Sequence, residues 1–174
     1  MIIGIGGCSR AGKTTLAELI MWHYRKLNFR VIAIHQDDYV KRIRDIPLIN
    51  EETDWETPDS IDFDLLEKSI SFHRTKFDVI VLEGILTFAS AELNKHFDRA
   101  FFIEISLDTF LKRRKAETRW GEEPDWYLEH VWASFQLFGQ PPTTLEKLVK
   151  LSGETDSFQT ADLVSDWLEK LPNP

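Results

Sequence analysis

Apolar runs of strand length alternate along this chain with stretches whose apolar residues recur every three to four positions, and that alternation predicts most of its architecture. The first run, Ile2 to Ile5, is short and nearly all apolar, as befits a strand covered on both faces. Thr14 to Lys26 reads as a helix with Leu16, Ile20 and Tyr24 on one face, and Val31 to Ile34 as a second strand. From Val40 to Asp59 both periodicities lapse. Pro47, Pro58 and many acids predict a long loop there, of the kind that carries function in a compact domain. Ser60 is placed to cap a helix running to about Phe72, with Ile61, Leu65, Leu66 and Ile70 on its buried side. Val79 to Leu82 predicts a third strand, Ala89 to Phe97 a short helix, and Ala100 to Ile105 a fourth strand. Ser106 caps the next helix, which turns Leu107, Phe110 and Leu111 inward. Trp126 to Leu137 has helical spacing, with Tyr127, Val131 and Phe135 in line and Pro141 and Pro142 as its stop. Lys147 to Leu151 is a last, weak strand whose charge pattern also allows a helix. From Thr160, a stripe of Leu163, Val164, Trp167, Leu168 and Leu171 predicts a closing helix.

Strands alternating with helices imply a mostly parallel sheet with right-handed crossovers, in which ligand-handling groups sit beyond the carboxyl ends of the strands. The first strand is followed there by Gly7-Cys8-Ser9-Arg10-Ala11-Gly12-Lys13-Thr14, an unbroken P-loop that opens the first helix at Thr14 and Thr15. Successive backbone N–H groups from Gly7 through Ser9, Arg10, Ala11 and Gly12 to Thr15 surround a concavity that suits a polyphosphate. Gly7 and Gly12 permit backbone angles and close approach that a Cβ would block. Lys13 reaches the β- and γ-phosphates, and the Thr14 hydroxyl ligates Mg²⁺. The expected fold is a three-layer α/β P-loop NTPase fold with a mostly parallel sheet, in one domain of 174 residues with a small lid at about 112–126.

Composition narrows the setting. At 43% hydrophobic and 29% charged residues, the chain has no apolar run near the roughly 20 residues that span a bilayer. It runs straight from Met1 into the first strand, so no leader peptide and a cytoplasmic location are expected. A net charge of −8 argues against a surface for nucleic acid, so the positive charge that meets an anionic nucleotide must be local. Arg10 and Lys13 supply it in the loop, and Lys112, Arg113, Arg114, Lys115 and Arg119 in the lid, while Lys41, Arg42 and Arg44 read as a solvated face. Cys8, the single cysteine, excludes an intramolecular disulfide. Its place in the loop suggests a redox switch or, more simply, a small residue at a tolerant position.

Two chemistries compete for such a loop, a nucleotide-hydrolysing switch and a metabolite kinase. A guanine reader needs an Asn-Lys-x-Asp signal, and Asn94-Lys95-His96-Phe97 has Phe where the Asp belongs. A kinase needs a carboxylate beside the acceptor and cations on the migrating group. Asp37 and Asp38 end the second strand, and Glu83 ends the third, where an acid holds Mg²⁺ in P-loop enzymes. Ile5-Gly6-Gly7 with the P-loop, His35-Gln36-Asp37-Asp38-Tyr39, Trp55-Glu56-Thr57-Pro58-Asp59-Ser60-Ile61-Asp62, Leu82-Glu83-Gly84 and His130-Val131-Trp132 come in one order. That order resembles the uridine kinase family over roughly Met1 to Pro142, and the Gln-Asp-Asp and His-Val-Trp pieces are most similar to its nicotinamide riboside kinase branch. The resemblance implies ATP- and Mg²⁺-dependent phosphorylation of the ribose 5′-hydroxyl of a nucleoside. It makes Asp37 the general base, with Asp38 beside it on the substrate, and Glu83 a holder of Mg²⁺. Trp55 stacks on the base and Glu56 binds the ribose hydroxyls, a Glu standing where Asp is common. Arg114 becomes the lid arginine on ribose or phosphate, with Arg113 and Arg119 as its phosphate neighbours; His130 reads as a core or a substrate-side histidine and is given no catalytic role.

The base site carries a preference of its own. Nicotinamide riboside bears a fixed positive charge that uridine lacks, and an indole face is the best cation–π partner among side chains. Trp55, with Trp120 or Trp126 as a second wall, and the negative field of the chain therefore favour nicotinamide riboside. A sugar, a pantothenate-like compound or a shikimate-like acid remains an alternative acceptor.

Overall fold

The computed structural model describes residues 1–117, 121–154 and Trp167. In chain order its strands are β1 (Ile2–Gly7), β2 (Val31–His35), β3 (Leu48–Ile49), β4 (Glu52–Thr53), β5 (Val79–Glu83), β6 (Arg99–Glu104) and β7 (Leu148–Ser152). Its helices are α1 (Lys13–Lys26), α2 (Phe63–His73), α3 (Ala91–Asn94), α4 (Leu107–Lys115) and α5 (Asp125–Phe138). Five strands form one sheet in the order β2-β5-β1-β6-β7, every neighbouring pair parallel, while β3 and β4 make a small antiparallel hairpin apart from it.

Because successive strand side chains point to opposite faces, each apolar run feeds two cores. Ile3, Ile5, Val79, Val81, Phe101 and Ile103 face α1, which contributes Leu16, Ala17, Ile20 and Tyr24. Ile2, Ile80 and Leu82 face the other way, onto Leu66 and Ile70 of α2 and Leu93 of α3. Phe110 of α4 and Val131 and Phe135 of α5 cover Ala100 and Phe102 on that side. Truncating Leu66, which is fully buried, to Ala costs about 2–5 kcal/mol by lost transfer energy and cavity formation. These layers make a three-layer P-loop NTPase fold, with the segment between α4 and α5 as its small lid. Among the described residues, no helix is long and apolar enough to cross a membrane.

Register sets the site. Ile5 lies opposite Glu83 across β1 and β5, and His35 lies opposite Glu83 across β2 and β5. The P-loop, the turn after β2 and the end of β5 therefore emerge side by side.

Several local expectations change. Ser60 caps nothing: it closes a turn at Pro58–Ser60, and its hydroxyl donates to the carbonyls of Trp55 at 2.9 Å and Thr57 at 2.7 Å. Ile61 forms an antiparallel bridge with Val40 and stays extended, so α2 starts later and takes Asp62 as its cap, accepting from the Leu65 N–H at 2.9 Å. Leu65 and Leu107 turn outward, leaving Leu66 and Phe110 to carry their faces. The loop after Val40 contains the hairpin and short 3₁₀ turns, and the helix expected over 89–97 shrinks to α3. The segment 147–151 pairs as β7. The closing helix expected from Thr160 lies outside the described residues, apart from Trp167.

Candidate active site

Backbone geometry shapes the P-loop first. Gly7 at φ 148° and Gly12 at φ 105° hold angles that L side chains rarely adopt, and at Gly7 a Cβ would also stand 2.7 Å from the Ile103 carbonyl oxygen. The Ala11 N–H donates to the Cys8 carbonyl at 3.1 Å, and Lys13 Nζ bends back to the same oxygen at 2.9 Å. Lys13 is buried, and burial lowers its pKa, while the carboxylates of Glu83, Asp37 and Glu56 work in the other direction. Cys8 is fully buried behind the loop and burial pushes its thiol up to about 12, so it is a space-filling residue that holds no thiolate at neutral pH.

Thr14 Oγ1 donates to Glu83 Oε1 at 2.9 Å, and the same carboxylate oxygen lies 2.8 Å from His35 Nδ1. A P-loop fold implies nucleotide binding with a divalent cation, and this oxygen pair fits one. Mg²⁺ on nucleotide phosphates keeps several waters and takes only one or two ligands from a protein.

Asp37 is fastened by its neighbour. Gln36 is buried, its Oε1 accepts the Leu86 N–H at 2.9 Å, and it lies so close over Gly84 that a Cβ there would stand 2.3 Å from Oε1. Burial raises the pKa of Asp37; Glu83 and Asp38 push the same way, and the Lys13 ammonium opposes them. Asp37 and the adjacent Asp38 both keep exposed surface, so the desolvation that raises Asp37 is partial.

Across from this turn, the strand β4 leads into Asp54-Trp55-Glu56. Glu56 is buried, and burial raises its pKa against the pull of the Arg114 charge and of the Tyr127 hydroxyl, which donates to Oε1 at 3.4 Å. Trp55 remains 39% exposed, and its carbonyl accepts from the Ser60 hydroxyl at 2.9 Å.

The lid closes the arrangement. Arg114 donates to both Glu123 oxygens, at 2.6 and 2.7 Å, and through its third nitrogen to Ser9 Oγ at 2.7 Å. Arg113 donates to the carbonyls of Arg10 at 3.1 Å and Gly153 at 2.7 Å, and Arg10 itself pairs with Glu117 at 2.8 Å. Lys115 turns away to Asp125 on the exposed surface. Thus Lys13, Thr14, Glu83, Asp37, Glu56, Arg113 and Arg114 converge around the loop. Trp126 packs edge-on against Tyr127, 5.6 Å between centroids. Arg119 and Trp120 lie outside the described residues.

Sequence reasoning quoted His35 in a motif without giving it a task, and missed Asp54, Glu117, Glu123 and Tyr127. Tyr127 was legible only as one of an apolar helical row. The others are polar residues without a spacing signal, joined to the site by long-range contacts. His130, quoted in a motif without a task, stands 2.8 Å from Asp54 through Nε2.

No protein-family model matches the chain. It is similar to the nicotinamide riboside kinase of Saccharomyces cerevisiae, 20% identical over a gapped alignment that covers 78% of this chain and 76% of that protein. It is also similar to the uridine kinase of Latilactobacillus sakei, 28% identical over a gapped alignment that covers 88% of this chain and 86% of that one. A solved gluconokinase from Sinorhizobium meliloti shares the fold at a TM-score of 0.62 and 14% identity, covering 97% of this chain and 91% of that one.

Proposed function

We propose that this chain, a P-loop kinase for a small hydroxyl-bearing metabolite related at modest identity to the uridine kinase and nicotinamide riboside kinase families, transfers the γ-phosphoryl group of ATP to the ribose 5′-hydroxyl of a nucleoside, nicotinamide riboside in preference to uridine. The observation that carries the reading is the seating of Asp37 beside the loop that holds Lys13 and Thr14, with Glu83 between them at the sheet's carboxyl edge.

In this reading the acceptor hydroxyl lies against Asp37 and gives up its proton to that carboxylate. Transfer of a phosphoryl group passes through a loose transition state, so positioning matters more than base strength. A carboxylate raised by burial and checked by Lys13 suits that task. Lys13 and the loop N–H groups hold the migrating group, and Arg114, fixed by Glu123 and Ser9, reaches it from the lid. Thr14 and Glu83 would hold Mg²⁺, which would supply positive charge to offset that of the phosphates. Glu56 meets the ribose hydroxyls and Trp55 the base. The Glu56 carboxylate on this side suits a pyridinium, and the half-exposed indole of Trp55 adds a cation–π face. The whole chain acts as one kinase domain, with a lid at about 112–126, on a free small molecule in the cytoplasm.

The test is an acceptor panel with ATP and Mg²⁺, products identified by mass: nicotinamide riboside, uridine, cytidine, gluconate, pantothenate and shikimate. The expected product is a nucleoside 5′-monophosphate, formed with a higher kcat/KM from nicotinamide riboside than from uridine. Formation of ADP and inorganic phosphate alone, or phosphorylation of a non-nucleoside in place of the nucleosides, would overturn the reading.

A further inference from the structure

We infer that His130 is a positioning residue for the acceptor loop, acting through Asp54 to fix the main chain of Glu56 and with it the Trp55–Glu56 pair; as a role in substrate binding, this rests on the nucleoside kinase reading. Asp54 follows the β3–β4 hairpin and is anchored by its own N–H, which donates to the Pro47 carbonyl at 2.8 Å. Its Oδ1 accepts the Glu56 N–H at 3.1 Å and lies 2.8 Å from His130 Nε2. Only 14% of the Asp54 side chain and 17% of the His130 side chain are exposed. A carboxylate that deep needs partners, and the pair it finds joins its own loop to a helix far along the chain.

The contact is part of a row. Tyr127, His130 and Ser134 follow the helical spacing of α5, Tyr127 on the Glu56 carboxylate at 3.4 Å, His130 on Asp54, and Ser134 Oγ at 3.5 Å from His130 Nε2. The helix thus grips Glu56 twice, by its side chain through Tyr127 and by its main chain through Asp54 and His130. It begins two residues after Glu123, the acid that fixes Arg114, so the acceptor loop and the exit of the lid share one rigid support. Neither Asp54 nor His130 is assigned to a reacting group, so the clamp sets how well the nucleoside is held and leaves the chemical step alone.

His130→Phe keeps a ring in place and removes the hydrogen bond, whereas His130→Gln keeps a donor. For His130→Phe the nucleoside KM rises about tenfold, the effect of losing a hydrogen bond to a charged group, while kcat and the ATP KM stay within about twofold. His130→Gln recovers most of that loss. Asp54→Ala removes that contact together with the acceptor of the Glu56 N–H, so it raises the nucleoside KM at least as far as His130→Phe does, and the double variant is no worse than Asp54→Ala alone. Deuterium exchange at the Glu56 amide reads the clamp without turnover: it quickens in His130→Phe and Asp54→Ala and stays slow in His130→Gln. Unchanged exchange at Glu56 in both disrupting variants, or a fall in kcat at constant KM, would overturn the inference. A wild-type protein that phosphorylates no nucleoside would instead remove the kinase reading, while the exchange result still decides whether the clamp exists.

Discussion

Replacing Trp55 by Leu separates charge recognition from ordinary stacking. Trp55 is 39% exposed and held by its backbone carbonyl, so the substitution strips the indole face while leaving the Ser60 anchor of the loop in place. A cation over an indole gains about 0.5–1 kcal/mol at exposed sites and about 2 kcal/mol when desolvated. At this partial exposure the loss is about 1 kcal/mol, or about fivefold in kcat/KM. Uridine, being neutral, loses only stacking, part of which Leu replaces by apolar contact. The ratio of kcat/KM for nicotinamide riboside to that for uridine therefore falls about fivefold. Both nucleosides, competing in one reaction with ATP and Mg²⁺ and their monophosphates quantified by mass, give that ratio directly. Equal losses for the two substrates, or a larger loss for uridine, would refute the claim that Trp55 recognises charge.

Glu56→Gln raises the melting temperature at pH 8. Burial lifts the Glu56 pKa above its unfolded value, so between the two values the folded state binds more protons, stability falls as pH rises through that interval, and the loss is complete above it. The gain shrinks as pH is lowered through the raised pKa, and a variant that melts below the wild type at pH 8 would contradict this sign; the same change raises the nucleoside KM. Gly84→Ala places a Cβ 2.3 Å from Gln36 Oε1 and 2.5 Å from Gln36 Cβ, which forces Gln36 from the Leu86 N–H. It costs about 1–3 kcal/mol of stability and lowers kcat through the adjacent Asp37, and unfolding curves coincident with the wild type would exclude that steric coupling.

The parts of this site that were legible in the sequence are those made by neighbours in the chain. The P-loop is eight consecutive residues between a strand and a helix, Glu83 follows directly on an apolar run and Asp37 three residues after another, and the parallel pairing of those runs brings their ends together. Ser106 caps α4 as its spacing suggests, accepting from the Thr109 N–H at 3.2 Å. The cap of α2 was misread because a bridge from Ile61 back to Val40 outweighs the preference of Ser60 for a cap. Leu65 and Leu107 are apolar residues on the solvent side, which periodicity alone assigns inward. The Arg114–Glu123, Arg113–Gly153 and Asp54–His130 contacts join residues whose proximity only the folded sheet and lid create.

The claim on which the rest depends is that Asp37 receives the proton of the acceptor hydroxyl. It is tested most directly by kcat for nucleoside phosphorylation in Asp37→Asn beside Asp38→Asn, with nucleoside affinity measured separately by calorimetry. Asn preserves size and hydrogen bonding but cannot take the proton. For Asp37→Asn, kcat falls by about 10²-fold or more with affinity little changed, and the acidic limb of the wild-type kcat/KM profile, displaced upward by the partial desolvation of Asp37 and by the nearby Glu83 and Asp38 charges, disappears with it. An unchanged kcat for Asp37→Asn together with a collapse for Asp38→Asn would contradict the account.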